Sequence, residues 1–279
     1  MKIDTTLYCY YSVSYLGAQT SQIGLATSSS LNLTSWIDHG TIHLPPSPSY
    51  NLSDPAVFQE APNTPIYITF GSYWSGIFSL RLSPSALTYR HAAPPSPAQN
   101  LHWNGTHKSN ATAHTPQYTH SDLHNLIRNT TADPDVVEGA FMYQHAGTYF
   151  LFFSAGACCA TPPWLAPPGR EYRIMVCKAA TPVGPFRDAK GRRCDEGGGT
   201  VVLESHGDVY APGEQGVLFD GRLGRTVIYY HYGELEDVEK GVGRKLTLVV
   251  VRPSIGYAAE QFFFGFNYLE WEGGWPVVV

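Results

Sequence analysis

The sequence predicts an all-β protein, and three observations support that prediction. Short runs rich in Tyr, Val, Ile and Phe recur along the chain, and turns rich in Gly, Pro, Asn and Ser separate them. No long stretch carries apolar residues at the 3.6-residue period of a helix. Units resembling four strands recur about every 50 residues, which favours a β-propeller, with a β-sandwich as the alternative.

The strands follow one another with short links, as in an antiparallel meander. We treat residues 1–279 as a single domain. In the first part of the chain, strands are predicted at residues 6–14, 22–27, 36–42, 54–58, 65–72, 77–82 and 87–91. In the second part, they are predicted at residues 136–143, 149–155, 172–179, 200–204, 215–220, 226–232, 245–251 and 268–279.

Residues 92–135 interrupt this rhythm with Pro, Asn, Thr and His. We interpret them as a long surface insertion with one helical turn at residues 121–128. The histidines in this segment have no fixed metal-ligand spacing, so solvated loop histidines are the better interpretation. They are His102, His107, His114, His120 and His124.

Charge and hydropathy exclude two classes of partner. The formal net charge of -5 leaves no basic surface for nucleic acid. No apolar run reaches the roughly 20 residues of a membrane span. The chain begins without an apolar secretory segment, yet it carries Asn-x-Ser/Thr sequons typical of secreted proteins. They are Asn32, Asn51, Asn104, Asn110 and Asn129. We therefore expect a secreted, monomeric protein whose natural chain starts further upstream.

The cysteines lack zinc-ligand spacing. Cys177 and Cys194 bracket a loop rich in Pro, Gly, Lys and Arg, which a disulfide between them would close. The adjacent Cys158 and Cys159 are either bonded to each other or free. Cys9 lies in a strand pattern, and we expect a buried thiol.

Two acids stand at the starts of predicted strands. Glu138, in VVEGAF at residues 136–141, has apolar neighbours that disfavour its charged form; the alternative is a strand-edge Glu that faces water. Asp54 lies in NLSDPA at residues 51–56, and the alternative interpretation is an ordinary Asp-Pro turn residue. In a propeller the innermost strands of the blades converge on the axis. Acids there can form the carboxyl pair that glycoside cleavage needs.

Motifs along nearly the whole chain resemble one family. They are NxxDP from Asn51, YITFGSYWSGI at residues 67–77, VEGAF at 137–141, FFSAGACC at 152–159, YRIMVC at 172–177 and YYHY at 229–232. Together they resemble secreted fungal endo-1,5-α-L-arabinanases of glycoside hydrolase family 43. This resemblance implies a five-bladed β-propeller that hydrolyses arabinan or arabino-oligosaccharides with inversion.

The same resemblance implies roles for individual residues. Glu138 is similar to the general acid, and Asp54 to the second acid that tunes and orients it. Trp74 resembles a platform for a furanose ring, with a core Trp as the alternative. His231 resembles the histidine that faces an axial ion, usually calcium, or its waters; without the resemblance it is a core histidine. The remaining substrate-binding residues implied are Ser72, Asn51 and Ser154.

The chain departs from the family pattern at one important point. The family's general base lies in a His-Asp-Pro segment of the first blade, and this sequence contains no His-Asp-Pro. We therefore expect the first blade to be missing or incomplete and the activity to be impaired. The alternatives are an inactive carbohydrate-binding propeller and a related family 43 arabinofuranosidase or xylosidase.

Overall fold

A computed structural model describes residues 1–15, 18–44, 46–82, 123–128, 136–158, 165–234 and 262–279. These residues form four antiparallel sheets of four strands each, arranged as the blades of a β-propeller. Within each sheet the strands pair in chain order, so the predicted meander is confirmed. Across the described ranges no helix is long and apolar enough to cross a membrane.

The strand bounds are as follows. Sheet 1 contains β1 (Lys2–Ile3), β2 (Thr6–Val13), β3 (Gln22–Ser28) and β4 (Ile37–Thr41). Sheet 2 contains β5 (Ala56–Gln59), β6 (Ile66–Phe70), β7 (Ile77–Arg81) and β8 (His124–Ile127). Sheet 3 contains β9 (Val137–His145), β10 (Thr148–Ala155), β11 (Arg173–Ala179) and β12 (Thr200–Leu203). Sheet 4 contains β13 (Val209–Asp220), β14 (Arg225–Glu234), β15 (Phe262–Glu272) and β16 (Trp275–Val278).

Strand β10 shows why its sequence is so apolar. Leu151 and Phe153 point into the core that sheet 3 shares with sheet 2, whereas Phe150 and Phe152 point into the core shared with sheet 4. Successive side chains of a strand alternate between the two faces of its sheet. A strand buried on both faces therefore contains a continuous apolar run rather than alternating apolar and polar residues.

Consecutive sheets pack face to face. Sheets 1 and 2 share a core built around Leu25, Ile68 and Leu80, all inaccessible to solvent. Strand β9 packs against both β5 and β13. The first strands of sheets 2, 3 and 4 therefore lie together, and residues at their starts become neighbours.

The β9–β10 hairpin closes with a two-residue turn. Thr148 pairs with His145, and the two residues between them, Ala146 and Gly147, both have positive φ angles of 47° and 77°. Two-residue hairpin turns with positive φ match the right-handed twist of the flanking strands. Gly147 adopts this conformation without the steric cost of a Cβ.

The predicted helical turn at residues 121–128 is wrong. Residues His124–Ile127 form the strand β8, which pairs with β7. Leu126 and Ile127 are almost fully buried in the core between sheets 2 and 3. Pairing at the edge of β7 therefore overrides the helical appearance of this short segment.

One cysteine prediction is confirmed and one is wrong. Cys177 and Cys194 form a disulfide with an S–S distance of 2.01 Å. Cys9 is an exposed free thiol. Its neighbours Tyr8 and Tyr10 pack against the core between sheets 1 and 2, so Cys9 points to the opposite face of β2.

Several sequence-based predictions fall outside the described residues. These are the strands at 87–91 and 245–251, most of the 92–135 insertion, and Cys159. One boundary differs in a way that matters for the site. The strand predicted to begin at residue 215 is the end of β13, which begins at Val209.

Candidate active site

Three carboxylates meet where the first strands of sheets 2, 3 and 4 converge. Asp54, Glu138 and Glu214 each offer one oxygen, and these oxygens all lie within 4.8 Å of one another. Asp54 precedes β5, Glu138 lies at the start of β9, and Glu214 lies on β13. Asp54 and Glu138 therefore lie close together, as predicted, and a third acid lies beside them.

Asp54 has an unusual backbone conformation, with a φ angle of 53°. Its N–H donates to Ser12 Oγ at 3.0 Å, which ties the turn before β5 to sheet 1. Burial and the nearby Glu138 carboxylate raise the pKa of Asp54 to about 7, although a hydrogen bond from the Gly139 N–H acts in the opposite direction. Positive φ at a non-glycine residue is a form of strain that occurs often at functional sites.

Glu138 is the best-held carboxylate of the three. Only 8% of the residue is exposed. Ser72 Oγ donates to its Oε2 at 2.5 Å, and Tyr172 Oη donates to its Oε1 at 2.9 Å. Because both oxygens accept a hydrogen bond from a hydroxyl group, the orientation of the carboxyl group is fixed from two sides.

Glu214 was not predicted from the sequence. The pairing of β13 with β14 is irregular on both sides of Gly213, and Glu214 has a φ angle of 50°. Its N–H donates to Ser154 Oγ at 2.9 Å, and the neighbouring Gln215 Nε2 donates to the Gly139 carbonyl at 2.7 Å. These bonds hold the irregular segment of β13 against β9 and β10.

The Glu214 carboxylate lies over Gly139. A Cβ at residue 139 would be 2.8 Å from Glu214 Oε2, so a side chain there would force the carboxylate to shift, and the φ angle of 60° at Gly139 also favours glycine. Glu214 is an exposed residue, in contrast to the buried Glu138 beside it. Burial, Asp54 and Glu138 raise the pKa of Glu214 to about 8, opposed by a hydrogen bond from Tyr172.

Tyr172 connects two of the acids. Its hydroxyl lies 2.9 Å from Glu138 Oε1 and 3.1 Å from Glu214 Oε1. Burial and the adjacent carboxylates keep the pKa of Tyr172 well above its usual range, so the phenol stays protonated. Its ring stacks on His231, with centroids 6.4 Å apart.

The other predicted site residues have different surroundings. Ser72 contacts Glu138 directly. Ser154 is completely buried, and its Oγ donates to Gln215 Oε1 at 2.9 Å, so it supports β13 from behind the carboxylates. Asn51 is buried and donates to Ser53 Oγ at 3.4 Å. Trp74 is 42% exposed, two residues beyond Ser72, with a φ angle of 43°.

His231 was predicted to face an axial ion or its waters. Its ring packs between Tyr172 and Phe262, and burial lowers its pKa to about 4. In the described part of the chain, the one group of three or more potential metal ligands is Asp54, Glu138 and Glu214, and it does not include His231. Calcium prefers six to eight oxygen ligands. The described surroundings of His231 therefore do not fit calcium, and the ion stays a prediction.

The carboxylate group itself is better explained as an acid–base site than as a metal site. Both oxygens of Glu138 are already occupied by hydroxyl donors. Raised pKa values at Asp54 and Glu214 mean that the group holds protons near neutral pH. Such a group can deliver a proton to a bound substrate.

The sequence-based prediction missed Glu214 because it started the strand at residue 215, whereas β13 begins at Val209. Asp54 and Glu138 were selected because each stands at the start of a predicted strand, whereas Glu214 lies in the middle of β13. The Pro212-Gly213 pair hid this, because both residues weaken a strand pattern. The irregular pairing around Gly213 is the physical reason for their presence.

The chain is similar to known proteins along most of its length. Residues 1–253 match the family described as glycosyl hydrolases family 43. A probable arabinan endo-1,5-alpha-L-arabinosidase A of Neosartorya fischeri is 39% identical over 278 residues, which is 99% of this chain and 70% of the relative. The arabinan endo-1,5-alpha-L-arabinosidase A of Aspergillus niger is 37% identical with the same coverage of both chains.

Solved structures give the same fold. An alpha-L-arabinanase of Cellvibrio cellulosa, complexed with arabinohexaose, superposes with a TM-score of 0.71 at 21% identity. The match covers 100% of this chain and 75% of that one. An endo-arabinanase of Bacillus licheniformis superposes with a TM-score of 0.70 at 21% identity, over 99% of this chain and 74% of that one. The family match and the fungal relatives together establish that this chain belongs to glycosyl hydrolases family 43.

Proposed function

We propose that the chain acts on α-1,5-linked arabinan, with Glu138 as the general acid. The observation that supports this most directly is a buried carboxyl group held by two hydroxyl donors and flanked by two further carboxylates. The fungal relatives, which are named as arabinan endo-1,5-alpha-L-arabinosidases, support the choice of substrate. Secretion and a monomeric state complete the proposal.

In this mechanism Glu138 donates its proton to the oxygen of the departing arabinose unit. The hydrogen bonds from Ser72 and Tyr172 fix the orientation of the carboxyl group, and therefore the position from which it donates its proton. Trp74, exposed beside this group, offers its ring face to the apolar C–H face of a furanose. Asp54, with an oxygen within 4.8 Å of the Glu138 carboxyl group, is the second acid that orients and tunes it.

Asp54 is too close to Glu138 to activate water. Their nearest oxygens lie within 4.8 Å, whereas an inverting acid and base stand roughly 6.5–9.5 Å apart to accommodate a water molecule. The sequence contains no His-Asp-Pro segment, so no residue is assigned to the water-activating role. We expect turnover roughly 100- to 10,000-fold below that of a site with a base. The parent architecture we propose is a five-bladed propeller, four blades of which are described.

The test is to replace Glu138 with Gln and incubate the purified protein with linear arabinan. We expect kcat to fall roughly 100- to 10,000-fold while the binding of arabino-oligosaccharides, measured by calorimetry, is retained. Glu272→Gln, at an exposed position at the end of β15, is the matched control and should change neither quantity. Unchanged release of oligosaccharides by Glu138→Gln would contradict the proposal.

A second candidate is a carbohydrate-binding propeller without catalysis. The absence of His-Asp-Pro and the exposed Trp74 favour it. It predicts that the native chain binds arabino-oligosaccharides but releases no products at any pH. A parallel incubation with xylan separates arabinan cleavage from the related arabinofuranosidase and xylosidase activities.

A further inference from the structure

Tyr172 forms two hydrogen-bond contacts that a single phenol proton cannot supply. Its oxygen lies 2.9 Å from Glu138 Oε1 and 3.1 Å from Glu214 Oε1. A phenol donates one hydrogen bond and can accept another. Both contacts are therefore hydrogen bonds only when one of the two carboxyl groups carries a proton and donates it to Tyr172. The geometry selects a state in which the two acids hold one proton between them.

The three groups also differ in their access to water. Glu138 is 8% exposed and Tyr172 is 3% exposed, whereas Glu214 is open to solvent. A proton on the exposed acid can exchange with water directly. A proton on the buried acid is screened from water by the residues that hold it. Tyr172 thus joins a buried acid to an exposed one.

We propose that Glu214, acting through Tyr172, shares one proton with Glu138 and so keeps the general acid protonated. Glu214 is in this sense a positioning residue for the proposed arabinan cleavage, on which this inference depends. Glu138 protonates Tyr172 while Tyr172 protonates Glu214, or the reverse. The phenol is never left ionised, because both transfers occur together.

The proton balance over one cycle is closed. Glu138 gives its proton to the leaving oxygen, and the attacking water releases one proton to solvent when the new C–O bond forms. Glu214, the exposed residue of the pair, takes up a proton from solvent. Tyr172 then passes a proton to Glu138 and receives the one from Glu214, which restores the starting state.

Two further ionisable groups lie beside Tyr172 and the two glutamates. Asp54, from the turn before β5, places an oxygen within 4.8 Å of both glutamates. His231, from β14, stacks on the Tyr172 ring but stays neutral above about pH 5, since burial lowers its pKa to about 4. Within the described ranges, the charge facing Tyr172 therefore comes from carboxylates, which favours retention of a shared proton.

The test compares the pH dependence of kcat/KM for the native protein, Glu214→Gln and Tyr172→Phe. We expect both variants to move the alkaline limb of the profile to lower pH, by about one unit for Glu214→Gln, with activity at pH 5 changed less than about five-fold. Ser72→Ala removes a donor to the ionised form of Glu138 and should move the limb in the opposite direction. Equal loss of activity at every pH would indicate a merely structural role and overturn the inference.

A second measurement does not require turnover. With ¹³C at the glutamate side-chain carboxyl carbons, NMR titration of the native protein should show two coupled carboxyl signals that change together. Tyr172→Phe should separate the two titrations, and Glu214→Gln should remove one signal. Independent titration of the two groups in the native protein would refute the shared proton. Absence of cleavage with coupled titration would refute only the proposed function.

Discussion

At the scale of single residues, the site combines strained backbone with fixed side chains. Asp54, Trp74 and Glu214 all have positive φ angles, which cost free energy in residues with a Cβ. The surrounding hydrogen bonds, such as that from the Glu214 N–H to Ser154, compensate for part of this cost.

Trp74 gives a prediction at this scale. Trp74→Ala should weaken the binding of arabino-oligosaccharides roughly ten-fold, because one aromatic stacking contact provides about 1.4 kcal/mol. The free energy of unfolding should change by less than about 0.5 kcal/mol, since the side chain is partly exposed. Calorimetric titration measures the first quantity and urea denaturation the second.

A matched control for Trp74 is Leu33→Ala, at a residue that is 94% exposed. This variant should leave both binding and stability unchanged. The core position that the sequence left open as an alternative does not fit the observed exposure of 42%, and a large loss of stability in Trp74→Ala would contradict the surface role proposed for this side chain.

At the scale of elements, the disulfide links strand β11 of sheet 3 to the segment that precedes β12. Cys177 lies on β11, and Cys194 lies in the segment leading to β12. Both are completely buried in the core between sheets 2 and 3. The Cys194 carbonyl also accepts a hydrogen bond from the Arg128 N–H next to β8. One covalent link therefore stabilises two neighbouring sheets.

Removal of this link should be costly. The double variant Cys177→Ala with Cys194→Ala should lose about 3 kcal/mol of unfolding free energy, as expected for closure of a loop of this length. The carboxylate site lies on other strands, so kcat should change little. Urea denaturation of the double variant gives the value. Cys9→Ala is the control, and an equal loss in that variant would contradict the explanation.

At the scale of the whole molecule, ionisation of the site opposes the stability of the fold. Asp54 and Glu214 have raised pKa values in the folded protein, about 7 and about 8, so the folded state binds protons more tightly than the unfolded chain. The stability that these two groups contribute is therefore greatest at low pH, below the pKa values of their unfolded carboxyl groups. It declines as pH rises from about 4 to about 8.

Glu214→Gln should flatten this dependence. We expect the native protein to lose on the order of 1–2 kcal/mol of unfolding free energy between about pH 5 and pH 8 from these groups, after allowance for solvent screening at Glu214. The variant should lose less, and urea denaturation at both pH values measures the difference. An identical slope in the two proteins would show that Glu214 is not the cause.

Most of the fold was predictable because its elements are local. Alternation and turn residues placed β2, β3, β9 and β10 close to their observed bounds. The segment that forms β8 was predicted as a helical turn. It becomes a strand because it pairs with β7, which lies far away in sequence. Glu214 escaped for a related reason: its role depends on an irregular strand and on a glycine in another sheet, neither of which shows in local composition.

The contact between Glu214 and Gly139 has a consequence for how this site can evolve. A Cβ at residue 139 would collide with the carboxylate at residue 214. A lineage that acquires a side chain at the first position must displace the carboxylate at the second and must also accept a strained backbone, since the φ angle at residue 139 is 60°. In an alignment of homologues, the two positions should therefore vary together, and the pairing of a bulky residue with glutamate should be rare.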